Sequence, residues 1–122
     1  ALTSATERLL EAAQLKEMKP DAILINVARG EIVDEDDLYA HLIAHPDFTA
    51  CLEAWWVEPI RHGRFETAHP FLDLPNVIAS PHNSAMTDGA LITAAERGAE
   101  NVLRFLNGET PRFIAGDDVR MA

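Results

Sequence analysis

Three short apolar runs, each leading into polar residues, constrain the fold of this chain more than any other feature. They span residues 22–27, 49–54 and 76–80, and the first, Ala-Ile-Leu-Ile-Asn-Val, is rich in branched side chains. A run of this kind is typical of a strand buried on both faces of a parallel sheet. Segments long enough to hold helices follow each run. The pattern therefore predicts a right-handed, parallel α/β arrangement.

Helical patterns occupy the segments between and after these runs. Ser4–Glu7 has the S-x-x-E form of a capping box, which predicts a helix from about residue 5 to residue 18. The acidic residues 34–37 predict the start of a second helix, because negative charge there complements the helix dipole. A long pattern over 87–106 predicts a third, and the polar residues 109–122 predict an extended tail.

The glycines indicate that only part of a doubly wound sheet is present. Six glycines occur, and no group of them has the Gly-x-Gly-x-x-Gly spacing of a dinucleotide phosphate loop. Three strands are also fewer than such a sheet normally has. We predict α/β architecture, the C-terminal half of a doubly wound parallel sheet with a long C-terminal helix, formed by residues 1–113 and followed by a tail at 114–122.

Charge and composition exclude several classes of partner. Ten Lys and Arg against twenty Asp and Glu give a net charge of -10, which repels both nucleic acid and anionic membrane surfaces. No apolar run approaches the length of a membrane span, and the N-terminus has no signal-peptide pattern. Cys51 is the one cysteine, so no internal disulfide can form. We expect a cytoplasmic protein that binds neither nucleic acid nor membrane.

A basic, an acidic and an imidazole side chain follow the three predicted strands. Arg29 comes after the first, Glu58 shortly after the second and His82 directly after the third. Taken singly, each is more often an ordinary turn or surface residue than a catalytic one. In open α/β sheets, however, ligands bind beyond the carboxyl ends of the strands, so the three side chains are expected to meet there. Together they suit proton transfer coupled to reduction of a keto acid.

Three stretches of sequence resemble one known family. Residues 23–35, ILINVARGEIVDE, are similar to the strand and loop around the substrate-binding Arg of the D-isomer-specific 2-hydroxyacid dehydrogenases. Glu58-Pro59 is similar to the Glu-Pro of that family, and residues 74–82, LPNVIASPH, resemble the segment that ends in its catalytic His. Order and spacing agree throughout, and the likeness extends to about Phe113.

The resemblance implies a fold, a reaction and a set of site residues. It implies a Rossmann-like NAD-binding domain in an NAD-dependent enzyme, with NADP left open, that moves a hydride between nicotinamide and a small D-2-hydroxy or 2-keto acid. Arg29 would hold the substrate carboxylate, His82 would exchange the proton, and Glu58 would orient His82. Members of the family are typically homodimers. The residues implied in cofactor binding are Thr3, Val27, Ala28, Arg29, Glu53, His82, Ser84 and Ala85.

The sequence also departs from the family pattern. Glu53 stands where the family usually has an Asp that bonds the nicotinamide carboxamide, and Trp55-Trp56 is bulkier than the usual pair. Glu58 itself matches the hydroxyacid enzymes, whereas formate dehydrogenases carry Gln at that position.

Parts of the sequence also suit three other functions. A Ser-His-Glu hydrolase using Ser80 or Ser84 lacks the Gly-x-Ser-x-Gly elbow. A metal site built from His62, His69 and His82 with Glu66 lacks a recognised ligand spacing, so no metal is expected. The alternative that stays open is a non-catalytic fragment or binding module that uses the dehydrogenase fold.

Overall fold

The computed structural model describes residues 1–112, in two units formed by residues 1–83 and by the residues from Ser84 onward. The first unit holds α1 (Ala12–Lys16), β1 (Ile23–Asn26), α2 (Glu35–Ala44), β2 (Thr49–Leu52), α3 (Pro59–His62) and β3 (Val77–Ala79), with short 3-10 turns at Gly30–Ile32 and Phe71–Asp73. The second holds α4 (Ala90–Leu106). Within the described residues, no helix has the length and apolar character needed to cross a membrane.

A parallel sheet with the order β1-β2-β3 forms the centre of the first unit. Ile25 pairs with Cys51, and Cys51 pairs with Ile78. Helix α2 makes the crossover from β1 to β2. The predicted parallel α/β arrangement is confirmed by this topology.

One face of the sheet packs on the core and the other does not. Leu24, Ala50 and Leu52 are buried, together with Leu38 and Leu42 of α2, Phe48 and Phe71. On the opposite face Ile23, Ile25 and Ile78 are 66%, 63% and 61% exposed. The prediction that the first strand is buried on both faces is therefore wrong, because no residue of the first unit covers that second face.

The predicted start of the first helix is also wrong. Residues 4–8 form turns, and α1 begins only after Glu11, where Glu11 and Gln14 make the capping box instead. Arg8 has a left-handed φ of 52°, which interrupts a helix. The backbone N–H groups of Arg8 and Leu10 donate to the carbonyls of Glu31 and Ile32, so this segment is held by the chain beyond β1.

Local signals predicted α2 and α4 well, whereas α3 falls in a segment predicted as a loop. The Asp34 side chain accepts a hydrogen bond from the Asp37 backbone N–H at 2.9 Å, so the acidic start of α2 is a true N-cap. Helix α4 begins three residues later than predicted and ends before Asn107 and Gly108, where Gly108 has a φ of 73°. The extended tail predicted for residues 109–122 lies outside the described residues from residue 113 onward.

Candidate active site at the carboxyl edge of the sheet

Glu58 and His82 are in direct contact. The Nδ1 atom of His82 lies 2.7 Å and 2.8 Å from the two carboxylate oxygens of Glu58. The Glu58 side chain is only 11% exposed and that of His82 is 33% exposed, so the pair is partly shielded from water. A carboxylate in this position favours the tautomer with its proton on Nδ1.

The Glu58 carboxylate is itself held by the backbone. The N–H of Trp55 donates to Glu58 Oε1 at 2.7 Å, and the Glu58 N–H donates to His62 Nδ1 at 3.0 Å. Pro59 follows at the first position of α3, where a missing N–H costs nothing. Hydrogen bonds therefore hold both the carboxylate and the backbone N–H of Glu58, in addition to its contact with His82.

Trp55 also joins the loop of Glu58 to the loop of His82. Its indole Nε1 donates to the carbonyl of Ser80 at 2.9 Å, while its backbone holds Glu58. His82 has a left-handed φ of 54°, a conformation that costs free energy outside glycine and that occurs often at functional sites. The bulky Trp that departs from the family pattern therefore positions both members of the pair.

Arg29 lies at the exit of β1 and is half-buried. Its NH1 group donates to the Ala28 carbonyl at 2.7 Å. The loop is fixed by Asn26, whose Nδ2 donates to the Arg29 carbonyl at 2.8 Å and whose Oδ1 accepts from the Ala28 N–H at 3.1 Å. Sequence reasoning missed this role of Asn26, although a polar residue inside an apolar strand run was the available signal.

The acid at the end of β2 reaches the same imidazole. The Glu53 side chain is 8% exposed, and its Oε2 lies 3.6 Å from His82 Nε2. The Glu53 N–H donates to the Asn26 carbonyl at 3.0 Å, which anchors this residue to the end of β1. Glu53, Glu58 and His82 therefore form one cluster at the carboxyl edge of the sheet.

The remaining residues implied in cofactor binding lie in different places. Val27 is 63% exposed and, with Ala28, directly follows β1. Thr3 lies in the N-terminal turn, where its N–H donates to Thr6 Oγ1 at 2.8 Å. Ser84 and Ala85 are exposed and open the second unit.

The histidines considered for a metal site have other partners. His69 Nε2 lies 2.7 Å from Asp36 Oδ1, and His62 binds the backbone of Glu58. In the described part of the chain, no group of three or more His, Cys, Asp or Glu side chains is arranged to hold a metal ion.

An apolar cavity adjoins His82. It measures about 500 Å³, and its walls include Trp55, Ile60, Phe65, Leu72 and the Glu58–His82 pair. The imidazole therefore borders a space large enough for a small organic molecule.

A parallel sheet with an acid-held imidazole beyond its carboxyl edge defines an α/β protein with an acid–base site. The family described as "D-isomer specific 2-hydroxyacid dehydrogenase, NAD binding domain" matches residues 1–84. The chain belongs to this family, and the resemblance drawn from its sequence is confirmed.

Named relatives and solved structures agree with this assignment. The chain is 39% identical over 108 residues to a glyoxylate/hydroxypyruvate reductase B of Pectobacterium carotovorum, covering 88% of this chain and 32% of the relative. It is 36% identical over 109 residues to the human glyoxylate reductase/hydroxypyruvate reductase, covering 89% and 32%. The chain thus spans about a third of the length of the curated relatives it matches.

Two solved structures share the fold of the chain. A D-isomer specific 2-hydroxyacid dehydrogenase from Xanthobacter autotrophicus, in complex with NADPH and MES, has a TM-score of 0.78 and 32% identity, covering 94% of this chain and 45% of that one. The D-lactate dehydrogenase of Lactobacillus jensenii with NAD⁺ has a TM-score of 0.73 and 31% identity, covering 94% and 37%. The Rossmann-like character of the sheet is confirmed by this likeness.

Proposed function

We propose that this chain supplies the acid–base part of an NAD-dependent oxidoreductase of the cytoplasm, which transfers a hydride between nicotinamide and a D-2-hydroxy or 2-keto acid. The observation that carries the proposal is the contact of both Glu58 oxygens with His82 Nδ1. It leaves Nε2 as the nitrogen that exchanges a proton with the substrate oxygen. The names of the relatives make glyoxylate and hydroxypyruvate the first substrates to test.

Each of the three residues has a distinct task in this proposal. In the reducing direction His82 gives its Nε2 proton to the carbonyl oxygen, and Glu58 stabilises the ring while it is charged. Arg29 holds the substrate carboxylate with its planar fork of N–H donors. Proton transfer to the oxygen balances the charge that develops when the carbonyl carbon is reduced.

The residues at the carboxyl edge of the sheet suit the nicotinamide end of the cofactor. Val27 offers exposed apolar surface after β1, and the Glu53 carboxylate is an acceptor for a carboxamide NH₂ group. Ala28, Ser84, Ala85 and Thr3 complete the set that the family resemblance assigns. When bound, the cofactor supplies the hydride. NADP is the second candidate, and NADPH is compared with NADH in the same assay.

The test is NADH-dependent reduction of glyoxylate and hydroxypyruvate by the full protein that contains this chain. We expect His82→Asn to lower kcat roughly 10²- to 10⁴-fold, as removal of a general acid does. Glu58→Gln should lower kcat less, and Arg29→Lys should mainly raise KM for the keto acid, because an ammonium cannot bind a carboxylate through a planar fork.

His69→Asn is a matched control for these variants. His69 also lies 2.7 Å from a carboxylate oxygen, that of Asp36, but it does not belong to the cluster at the sheet edge. It should keep full activity. Full activity of the His82→Asn enzyme would refute the role of His82. Weak or absent NAD binding without turnover in the unaltered protein would favour the non-catalytic module instead.

We further propose that the protein is a homodimer. The support for this proposal is the family resemblance, because members of the family are typically homodimers. Light scattering coupled to size-exclusion chromatography measures the mass, and a monomer at all micromolar concentrations would contradict the proposal.

A further inference from the structure

The cavity beside His82 has an apolar wall with an aromatic corner. The ring centroids of Trp55 and Phe65 lie 5.3 Å apart with their planes at 78°, and both rings line the cavity. Ala79 and Pro81 extend the wall along the chain that leads to His82. At about 500 Å³ the cavity has far more room than the hydrogen of glyoxylate or the hydroxymethyl group of hydroxypyruvate requires. A corner of two aromatic rings suits a further aromatic group, which can pack edge to face against them.

Exposed apolar side chains surround this cavity. Ile60 is 95% exposed, Leu72 is 61% exposed and Phe65 is 46% exposed, and all three line it. Large apolar side chains that gather around a concave space mark a site where a ligand or partner removes them from water. Their place beside His82 favours a part of the substrate, because a keto acid that takes a proton from this ring lies against it.

The polar groups of the wall already have partners within the chain. The Ser80 carbonyl accepts from the Trp55 indole N–H at 2.9 Å, and the Ser80 hydroxyl donates to Asn83 Oδ1 at 3.3 Å. The Glu58 carboxylate accepts from the Trp55 backbone N–H at 2.7 Å and contacts His82. A hydroxyl group that enters the cavity loses its hydrogen bonds to water and competes with these existing ones. The cavity therefore disfavours the hydroxymethyl group of hydroxypyruvate.

The charge of the wall disfavours a second anionic group on the substrate. Of the described residues that line the cavity, none is Lys or Arg, and Glu58 contributes a carboxylate. A carboxylate or phosphate on the substrate side chain would lose its hydration and would be repelled by Glu58. The cavity therefore suits an uncharged side chain.

We propose that this cavity holds the side chain of the substrate and selects 2-keto acids with a single carboxylate and an apolar, preferably aromatic, side chain. The inference rests on the proposed function, in which His82 protonates the carbonyl oxygen and Arg29 holds the carboxylate. The group on the other side of the keto carbon then lies beside the imidazole, within reach of the cavity. Trp55, which is bulkier than the usual residue of the family, supplies the aromatic wall.

The experiment compares keto acids as substrates of the full protein with NADH. Phenylpyruvate fills the cavity, glyoxylate and hydroxypyruvate leave most of it empty, and 2-oxoglutarate brings a second carboxylate. Ala79→Leu narrows the cavity, and Ala44→Leu makes the same change at the exposed end of α2, outside it. Leu72→Arg is the second cavity variant, because Leu72 is 61% exposed and its replacement leaves the core intact. Circular dichroism establishes that each variant is folded, and Leu72→Arg serves if Ala79→Leu does not fold.

We expect kcat/KM for phenylpyruvate to exceed that for glyoxylate and hydroxypyruvate by roughly 10- to 100-fold, the gain from burying one phenyl ring. Ala79→Leu should lower this preference about tenfold, because the added side chain takes the space of the ring, and Ala44→Leu should leave it unchanged. Leu72→Arg should also lower the preference, and it should raise kcat/KM for 2-oxoglutarate, because the wall then offers a cation to the second carboxylate.

A preference of the unaltered protein for glyoxylate or hydroxypyruvate, or a preference for phenylpyruvate that both cavity variants keep, overturns the inference. Titration calorimetry with phenylpyruvate and glyoxylate is carried out in the presence of NAD⁺, which cannot reduce them. Tighter binding of phenylpyruvate that a cavity variant weakens, in a protein that turns over no keto acid with NADH, supports the cavity site and refutes the proposed function instead. Absence of phenylpyruvate binding in that titration overturns the inference, even where glyoxylate is reduced.

Discussion

Replacing Gly30 with Ala should destabilise the protein because the backbone of the Glu58 loop lies against it. An added Cβ would lie 2.3 Å from the Trp55 carbonyl carbon, 2.4 Å from the Trp56 nitrogen and 2.5 Å from the Trp55 oxygen. The closest of these is about 1 Å short of ordinary contact, which begins at 3.4 Å. All three atoms are backbone, so no side-chain rotation relieves the overlap.

The expected cost lies at the upper end of that for overpacking. Forcing extra volume into a packed site costs typically 1–3 kcal/mol, and a deep overlap with a backbone peptide group indicates about 3 kcal/mol. For a domain of this size that corresponds to a urea midpoint lower by about 1–3 M. Trp55 and Trp56 lie directly against the altered residue, so their fluorescence reports unfolding at the site itself.

Gly98→Ala makes the same chemical change where space is open. Gly98 lies inside α4, and no atom lies within 4 Å of its added Cβ. Because Ala favours a helix interior over Gly, α4 should gain roughly 0.5–1 kcal/mol, measured by circular dichroism. A Gly30→Ala protein whose midpoint matches that of the unaltered chain would refute the reasoning, since it would mean that the two loops separate freely.

Two further changes test the packing around α2. Asn76→Ala removes the amide that donates to the Phe48 carbonyl at 2.9 Å and to the Leu42 carbonyl at 3.1 Å. The unpaired carbonyls should lower the free energy of unfolding in urea by about 1–3 kcal/mol. An unchanged urea midpoint would contradict this expectation. Burial, and secondly the neighbouring His45, lowers the pKa of His41 below its ordinary 6.5. The stability that neutral His41 contributes is therefore fully present above about pH 6.5, and it is lost as the pH falls through the lower pKa of the folded state. His41→Gln should therefore flatten the loss of stability between neutral pH and pH 5, whereas an equally steep loss would assign it to other groups.

The sequence predicted those elements whose signals are local. Asp34 caps α2 through its own side chain, and that bond depends on residues three positions apart. The same kind of signal at Ser4–Glu7 failed, because Arg8 and Leu10 bond to the backbone beyond β1. A capping pattern reflects the local preference of a segment for a helix, and hydrogen bonds to distant parts of the chain can override that preference.

The contact of Glu58 with His82 was predictable from the sequence, whereas the contacts around that pair were not. The rule that ligands bind beyond strand ends grouped Glu58 with His82, and the two are in contact. The approach of Glu53 to the other ring nitrogen depends on side-chain length. The link made by Trp55 depends on the hydrogen bond from its indole N–H to the Ser80 carbonyl, 25 residues away in sequence. Neither follows from strand order or periodicity.

The bridge made by Trp55 has a consequence for variation in loop length. It joins the loop of the acid to the loop of the imidazole, so the exposed turn at residues 63–65, which follows the His62 contact with Glu58, is not needed to align the pair. Doubling a flexible loop costs only about 0.6 kcal/mol in closure entropy. Natural or engineered insertions in that turn can therefore reshape the rim of the apolar cavity while the proton-transfer geometry stays as it is.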